Sequence, residues 1–191
     1  MARDDVAVVI LAGGDATRLP GKLELDAGGG PLLLRVYRNV APIGPVYVSA
    51  NRTFPAALDE SLRCPIVIDR SPGHGPLSGL ISTFAHVRQA RVFVVAGDAP
   101  FAGERTAEDL LAVWEAGIDA VVPVDAEGRL QPLCAVYDRA AFLAAASDLV
   151  ARSGGVAAAV ERLRTKRIRL SDERAFANVN TASDRYSLLQ R

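Results

Sequence analysis

Short apolar runs alternate with helix-periodic segments along the first half of this chain, and that alternation restricts the fold more than any other feature. Runs rich in Val and Ile occupy residues 6–11, 46–49, 65–68 and 91–96. They have the length of strands and little polar alternation, as is typical of parallel strands covered on both faces. The segments between them place apolar residues on one helical face. This order predicts right-handed crossovers and a doubly wound sheet.

The second half of the chain is less regular. Strand-like segments at 120–124 and 130–137 flank the turn-forming residues 125–128, and this spacing permits a hairpin. We expect helices over 33–40, 77–84, 107–114 (with Gly117 as a stop), 142–149, 156–163 and 182–190, and a short strand over 167–170. The sequence therefore predicts one α/β domain over residues 1–191. Its fold would be three-layered, doubly wound and Rossmann-like, with a mostly parallel sheet and an antiparallel portion in the C-terminal half.

Composition argues against several classes of protein. Lys and Arg together number 22, as do Asp and Glu, so the chain lacks the basic excess of a nucleic-acid-binding protein. Its apolar runs are short of the roughly 20 residues of a membrane helix. The polar N-terminus leads straight into a strand, so we expect no signal peptide. Cys64 and Cys134 are isolated and fit reduced core thiols, which favours the cytoplasm.

A glycine turn follows the first strand, and two cations follow the turn. The turn consists of Leu11, Ala12, Gly13 and Gly14, and the cations are Arg18 and Lys22. Small residues let the backbone approach a ligand closely, while a guanidinium and an ammonium suit a nucleoside triphosphate. The spacing fits neither a Walker A loop nor the dinucleotide fingerprint, because six residues separate Gly14 from Gly21 and Gly13 adjoins Gly14. The alternative is a tight structural turn with solvated surface cations.

A second motif, Gly97-Asp98-Ala99-Pro100, ends the fourth apolar run. In an open α/β sheet, ligands bind beyond the carboxyl ends of the strands. Asp98 would lie there, near the tip of the first strand if the two strands are neighbours. A carboxylate at that point can hold Mg²⁺, which in turn neutralises phosphate oxygens. The alternative is an aspartate that caps a helix or stabilises a turn.

Further polar residues are predicted near the same edge of the sheet. Asn51 follows the second strand and could read a nucleobase, and Asp69 follows the third and could accept hydrogen bonds from a sugar or a base. Asn178 and Asn180 point the same way if their segment is extended, and could bind a second substrate or assist a metal. For these residues, a role in turns or helix caps is the alternative.

Taken in order, these motifs resemble the molybdenum cofactor guanylyltransferases. The matching segments are 11–14 with Arg18, Lys22, Ser49-Ala50-Asn51, Asp69, Gly75-Pro76-Leu77-Ser78-Gly79, Gly97-Asp98-Ala99-Pro100, Leu130-Gln131-Pro132-Leu133 and Asn178-Val179-Asn180-Thr181. They span almost the whole chain. The glycine turn and the Gly-Asp-x-Pro motif indicate the broad nucleotidyltransferase fold, whereas the last two segments narrow the match to the guanylyl branch. The related cytidylyl branch tends to begin with Ala-Ala-Gly.

The resemblance implies a reaction and a set of roles. The family transfers GMP from GTP to the terminal phosphate of molybdopterin and releases pyrophosphate. By this resemblance, Asp98 would hold Mg²⁺ while Arg18 and Lys22 bind the triphosphate and stabilise its developing charge. Backbone N–H groups of residues 12–14 would cradle the same phosphates.

The resemblance also divides the chain by substrate. Asn51 and Asp69 would bind the guanosine portion, and Asn178 and Asn180 would lie towards the acceptor. The nucleotide-binding half would be 1–101 and the acceptor-binding half 102–191. Transient contacts with proteins that deliver or accept molybdopterin are implied as well, with no role for nucleic acid or a membrane.

The chain departs from the family in the segment that joins Arg18 to Lys22. Relatives usually have one or two more residues there, commonly Arg-Met-Gly before the lysine, whereas this chain has Leu19-Pro20-Gly21. Pro20 stiffens the shorter path. The alternatives are a related nucleotidyltransferase that uses CTP or another phosphorylated acceptor, a nucleotide-binding adaptor without turnover, and a flavodoxin-like domain.

Overall fold

The computed structural model describes residues 5–13, 21–27, 29–69 and 75–179, and within them one mixed sheet has seven strands. The strands are β1 (Val6–Leu11), β2 (Val46–Ala50), β3 (Ile66–Ile68), β4 (Arg91–Ala96), β5 (Ala120–Pro123), β6 (Cys134–Asp138) and β7 (Thr165–Ile168). The helices are α1 (Leu32–Val40), α2 (Ala56–Leu62), α3 (Gly75–Phe84), α4 (Glu104–Ala112), α5 (Arg139–Ala146) and α6 (Val156–Glu161). Short 3-10 turns cover Lys22–Glu24 and Glu173–Phe176.

The strands lie in the order β3-β2-β1-β4-β6-β5-β7. β1 lies between two parallel neighbours, with Leu11 opposite Ser49 of β2 and opposite Ala96 of β4. β6 runs antiparallel to both β4 and β5, and β7 runs parallel to β5. The predictions of a mostly parallel sheet, of an antiparallel portion in the second half and of a hairpin between β5 and β6 are therefore confirmed.

Helices cover both faces of the sheet. Because successive strand residues point to opposite faces, Val8 and Ile10 pack with α1, α2 and α4, whereas Ala7 and Val9 pack with α3, α5 and α6. Both faces of β1 thus belong to the apolar core, which explains why its sequence shows no polar alternation. Within the described residues, no helix combines the length and the apolar character that a membrane span requires.

Several element boundaries differ from the predicted ones for local reasons. β6 begins at Cys134 rather than at residue 130, because Cys134 donates its N–H to the Gln131 carbonyl in a turn. α5 begins before residue 142, because the Asp138 carboxylate caps it by accepting the Ala141 N–H. In addition, α4 ends at Ala112 instead of residue 114, and α6 ends at Glu161 instead of residue 163. β7 covers Thr165–Ile168 instead of 167–170, and α2 is a helix that the sequence pattern does not predict. The predicted helix over 182–190 lies outside the described residues.

Candidate active site

The carboxyl ends of β1, β2 and β4 meet at one edge of the sheet, where two glycines let the backbone segments pass closely. A Cβ atom on Gly13 would lie 3.1 Å from the backbone nitrogen of Asn51. Gly97 donates its N–H to the Leu11 carbonyl at 2.8 Å, and a Cβ atom on it would lie 2.9 Å from that same oxygen. A side chain at either position would force the backbone apart, so glycine is what keeps these strand ends together.

One expected phosphate donor is already used by the fold. Ala12 donates its N–H to the Ser49 carbonyl at 2.7 Å, which extends the pairing of β1 with β2. The prediction that the backbone N–H of Ala12 helps to cradle phosphates is therefore wrong, and a phosphate-binding role is left to residues from Gly13 onward. Gly14 and Arg18 lie outside the described residues.

Lys22 and Asp98 lie together at this edge, although 76 residues separate them in the sequence. The Lys22 Nζ donates a hydrogen bond to Asp98 Oδ2, and the two side chains form an ion pair. They are only 17% and 14% exposed, so the pair is largely shielded from bulk water. Gly21, in the left-handed region with φ of 69°, turns the chain into the 3-10 turn that Lys22 begins. The structure thus places a cation and a carboxylate in one site.

A cleft of about 360 Å³ opens beside this ion pair. Its walls are the turn after β1, the Lys22 turn, the start of α3 and Leu133 from the segment before β6. Leu11, Ala12, Gly13, Lys22 and Asp98, all predicted to bind nucleotide, line it. Arg52 lines it too, and sequence reasoning assigned that residue no role. The available signal was its position directly after Asn51, just beyond the end of a parallel strand.

Asp69 and Asn51 follow β3 and β2, but they are not among the residues that line the cleft. Asp69 donates its N–H to the Ala50 carbonyl at 2.7 Å, and its Oδ1 accepts hydrogen bonds from the hydroxyls of Ser78 at 2.8 Å and Ser82 at 3.3 Å. The carboxylate therefore ties the end of β3 to α3. Binding of a nucleoside by these two side chains stays a prediction.

A backbone hydrogen bond joins the segment that carries Asn178 to Asp98. Val179 is buried and donates its N–H to the Asp98 carbonyl at 2.9 Å, which fixes the preceding Asn178 near the end of β4. Asn178 itself is exposed. Asn180 lies outside the described residues, so Asn178 is the one member of the predicted pair that can be located in the fold. A contact between this segment and the acceptor stays a prediction.

The side chains around Asp98 determine how the predicted metal could be held. Among the described residues, no group of three or more His, Cys, Asp or Glu side chains converges on one point. A preformed protein cage for a metal is therefore absent from that part of the chain. Mg²⁺ is commonly bound by one or two carboxylates together with substrate phosphates and water. A single aspartate beside a cleft of about 360 Å³ that Lys22 also lines fits that mode of binding.

The wall formed by Leu133 is held by a network around Asp125. This carboxylate is 8% exposed and accepts hydrogen bonds from the Arg129 backbone and guanidinium and from the Gln131 amide at 2.8–2.9 Å. Burial alone would raise the pKa of Asp125, but the hydrogen bonds from Arg129 outweigh it and lower that pKa. The carboxylate is therefore charged at neutral pH and keeps the segment before β6 in place.

Neither cysteine is suited to act as a nucleophile. Both are free thiols, and Cys134 is buried. Burial raises the pKa of Cys134 to about 12, and burial together with the charge of Asp59 raises the pKa of Cys64 to about 11. Because the thiolate is the reactive form, both side chains are inert at neutral pH.

Comparison with known proteins gives a consistent result. A family model described as a MobA-like NTP transferase domain matches residues 8–167. A molybdenum cofactor guanylyltransferase from Cereibacter sphaeroides is 36% identical over 188 residues, covering 92% of this chain and 91% of the relative. One of the same name from Ralstonia nicotianae is 30% identical over 207 residues, covering 98% and 97%. The crystal structure of molybdopterin-guanine dinucleotide biosynthesis protein A from Archaeoglobus fulgidus superposes with a TM-score of 0.76, at 22% identity and with 96% and 97% coverage, and supports the fold.

Proposed function

The chain belongs to the MobA-like NTP transferase family and is a nucleotidyltransferase, and we propose that it transfers GMP from GTP to the terminal phosphate of molybdopterin. The family model and the relatives confirm the predicted family and enzyme class. The observation that carries the proposal is the Lys22–Asp98 pair in a cleft walled by a glycine turn. The shared name of the relatives supports the choice of GTP and molybdopterin.

The proposed reaction needs no protein nucleophile. An oxygen of the acceptor phosphate bonds to the α-phosphorus of GTP, the bridging bond between the α-phosphorus and the leaving oxygen breaks, and pyrophosphate departs with that electron pair. The obstacle is the approach of one anion to another. Catalysis of this kind rests on positioning and on charge stabilisation. The inert cysteines agree with a direct transfer.

Lys22 and Asp98 would divide the electrostatic work. Lys22 neutralises Asp98 in the structure, and its flexible stem lets the ammonium move to phosphate oxygens when GTP binds. Arg18 would add a second cation to the triphosphate. Asp98, once released by Lys22, would hold Mg²⁺ with the phosphates. Bound there, Mg²⁺ supplies charge neutralisation at the triphosphate.

The remaining assignments follow from position in the fold. Asn51 and Asp69 follow β2 and β3, so we place the guanosine portion on that side of the cleft. Leu133 and Asn178 lie near the end of β4, which is on the other side of β1 from β2. We place the acceptor there, together with Asn180. The free thiols agree with a reaction in the reducing cytoplasm, where proteins that deliver or accept molybdopterin would make transient contacts.

The proposal is tested by single-turnover assays with the purified protein, Mg²⁺ and molybdopterin. We expect GTP to yield pyrophosphate and the guanine dinucleotide in equal amounts, and CTP, ATP and UTP to yield neither. Asp98→Asn serves as the control, since contaminating activity would survive that substitution. A preference for CTP would assign the chain to cytidylyl transfer. Nucleotide-dependent thermal stabilisation without pyrophosphate release would instead identify an inactive nucleotide-binding adaptor.

A further inference from the structure

Arg52 lines the cleft but has no part in the roles above. Its Nη2 donates to Glu24 Oε1 at 2.5 Å, across 28 residues of sequence. Glu24 ends the same 3-10 turn that Lys22 begins. The ion pair therefore connects the end of β2 to the short segment that presents Lys22 to the cleft.

The Lys22–Glu24 turn has little intrinsic stability. It covers three residues, all of them partly exposed, with Leu23 packed against the core, and is closed by backbone hydrogen bonds of 2.9 Å from Glu24 N–H to Gly21 and 3.3 Å from Leu25 N–H to Lys22. A single 3-10 turn of this kind is marginal by itself. Its position consequently depends on contacts made by its side chains. Lys22 reaches Asp98 after β4, and Glu24 reaches Arg52 after β2, so the turn is held from both sides.

Arg52 is itself held in place, so it can serve as an anchor. Its Nη1 donates to the Thr53 carbonyl at 3.3 Å, and its guanidinium carbon lies 5.6 Å from the centre of the Phe54 ring. Phe54 is only 9% exposed and packs in the core. The flat guanidinium can make a charged hydrogen bond and stack on a ring at the same time, which an ammonium does poorly.

We propose that Arg52 is a positioning residue that acts through Glu24 to hold the Lys22 turn against the end of β2, so that the ammonium of Lys22 stays at the triphosphate. This role rests on the proposed function of Lys22. The contrasting role is direct binding of a phosphate by Arg52. The contacts favour positioning, because the guanidinium is already engaged with Glu24, Thr53 and Phe54.

The two roles predict opposite effects for Glu24→Ala. If Arg52 acts through Glu24, then Arg52→Ala and Glu24→Ala each slow single-turnover GMP transfer by about 3- to 5-fold, the loss expected when a partly exposed ion pair no longer holds the turn in place. The double variant is then no slower than either single variant, because each substitution removes the same ion pair. If Arg52 binds phosphate directly, Glu24→Ala releases a competitor and leaves transfer unchanged or faster, which overturns the proposal.

A second readout does not depend on the reaction. Hydrogen exchange of the Glu24 and Leu25 amides reports whether the turn opens, and we expect faster exchange in Arg52→Ala and in Glu24→Ala. Unchanged exchange in both variants overturns the proposal even if transfer is slower. Should the wild-type protein transfer no GMP, the proposed function fails, while amide exchange still decides whether the Arg52–Glu24 pair holds the turn.

Two control variants separate this effect from a general loss of charge. Arg152→Ala removes an arginine that forms an exposed ion pair with Asp148 at 3.2 Å, in the segment after α5. We expect wild-type transfer and wild-type exchange at Glu24 for this variant. Arg52→Lys keeps the charge without the planar group and should give intermediate exchange. If Arg52→Lys transfers GMP at the wild-type rate although its Glu24 and Leu25 amides exchange as fast as those of Arg52→Ala, the turn is irrelevant to the rate.

Discussion

At the scale of single residues, the site is defined by two opposite charges that neutralise each other until a ligand arrives. Lys22 and Asp98 are both more than four-fifths buried, so their attraction is screened less than that of a surface pair. Removing one partner leaves the other charge without its counter-ion in a poorly hydrated place. The proposed reaction separates them, because each gains a new partner, Lys22 a phosphate and Asp98 a divalent cation.

Lys22→Ala should slow GMP transfer by about 100-fold or more, a loss typical for one preorganised stabiliser of developing charge. The measurement is the single-turnover rate at saturating GTP. Lys166→Ala is the matched control, since Lys166 pairs with Glu115 at 2.9 Å in an exposed ion pair and such pairs contribute at most about 1 kcal/mol. A wild-type rate for Lys22→Ala would make Lys22 a structural residue.

At the scale of elements, α3 lies so close to β2 that Gly79 has no room for a side chain. A Cβ atom there would lie 2.6 Å from the hydroxyl oxygen of Ser49, which is 1% exposed. This close approach brings the start of α3, and hence Gly75 and Pro76, to the wall of the cleft. The small residue is required by packing, because the backbone at Gly79 is ordinary helix.

Gly79→Ala should lower the free energy of unfolding by about 1–3 kcal/mol, the usual cost of overpacking. Urea denaturation measures this change. Adding Ser49→Ala removes the clashing hydroxyl and leaves a Cβ–Cβ separation near 3.9 Å, so the double variant should recover most of the loss. If Ser49→Ala and Gly79→Ala are simply additive, a contact other than this hydroxyl limits the packing.

Elements with strong local patterns were predictable from the sequence, and elements set by distant contacts were not. β1 and β4 were placed with their observed bounds, because a doubly buried strand is apolar throughout. α2 was missed, since Leu58 and Leu62 are its only buried residues and give no extended pattern. The pairing of Arg52 with Glu24 could not be inferred either, because it depends on how two separate turns meet.

At the scale of the whole molecule, ion pairs of aspartate and arginine join parts of the C-terminal half. Asp119, before β5, accepts hydrogen bonds from the Arg164 backbone and guanidinium at 2.7–2.9 Å, and Arg164 precedes β7. Arg162 donates to Asp148 at 2.5 Å and so connects the end of α6 to the segment after α5. Hydrogen bonds from Arg164 lower the pKa of Asp119, hydrogen bonds from Arg162 lower that of Asp148, and the charges of the two arginines add to this effect. Burial acts in the opposite direction but does not cancel the decrease.

These lowered pKa values predict how the stability of the fold depends on pH. A carboxyl whose pKa is lower when folded stabilises the native state above its unfolded pKa of about 3.9, and that stabilisation is lost as the pH falls through the folded pKa. The free energy of unfolding should therefore decrease below about pH 4. Asp119→Asn should lower it at pH 7, where the Arg164 pair is intact in the wild type. The difference between the two proteins should shrink as the pH falls through the folded pKa of Asp119, because protonation weakens the same pair in the wild type. Urea titrations of both proteins at successive pH values measure this difference, and a difference independent of pH would show that Asp119 acts through packing and not through its charge.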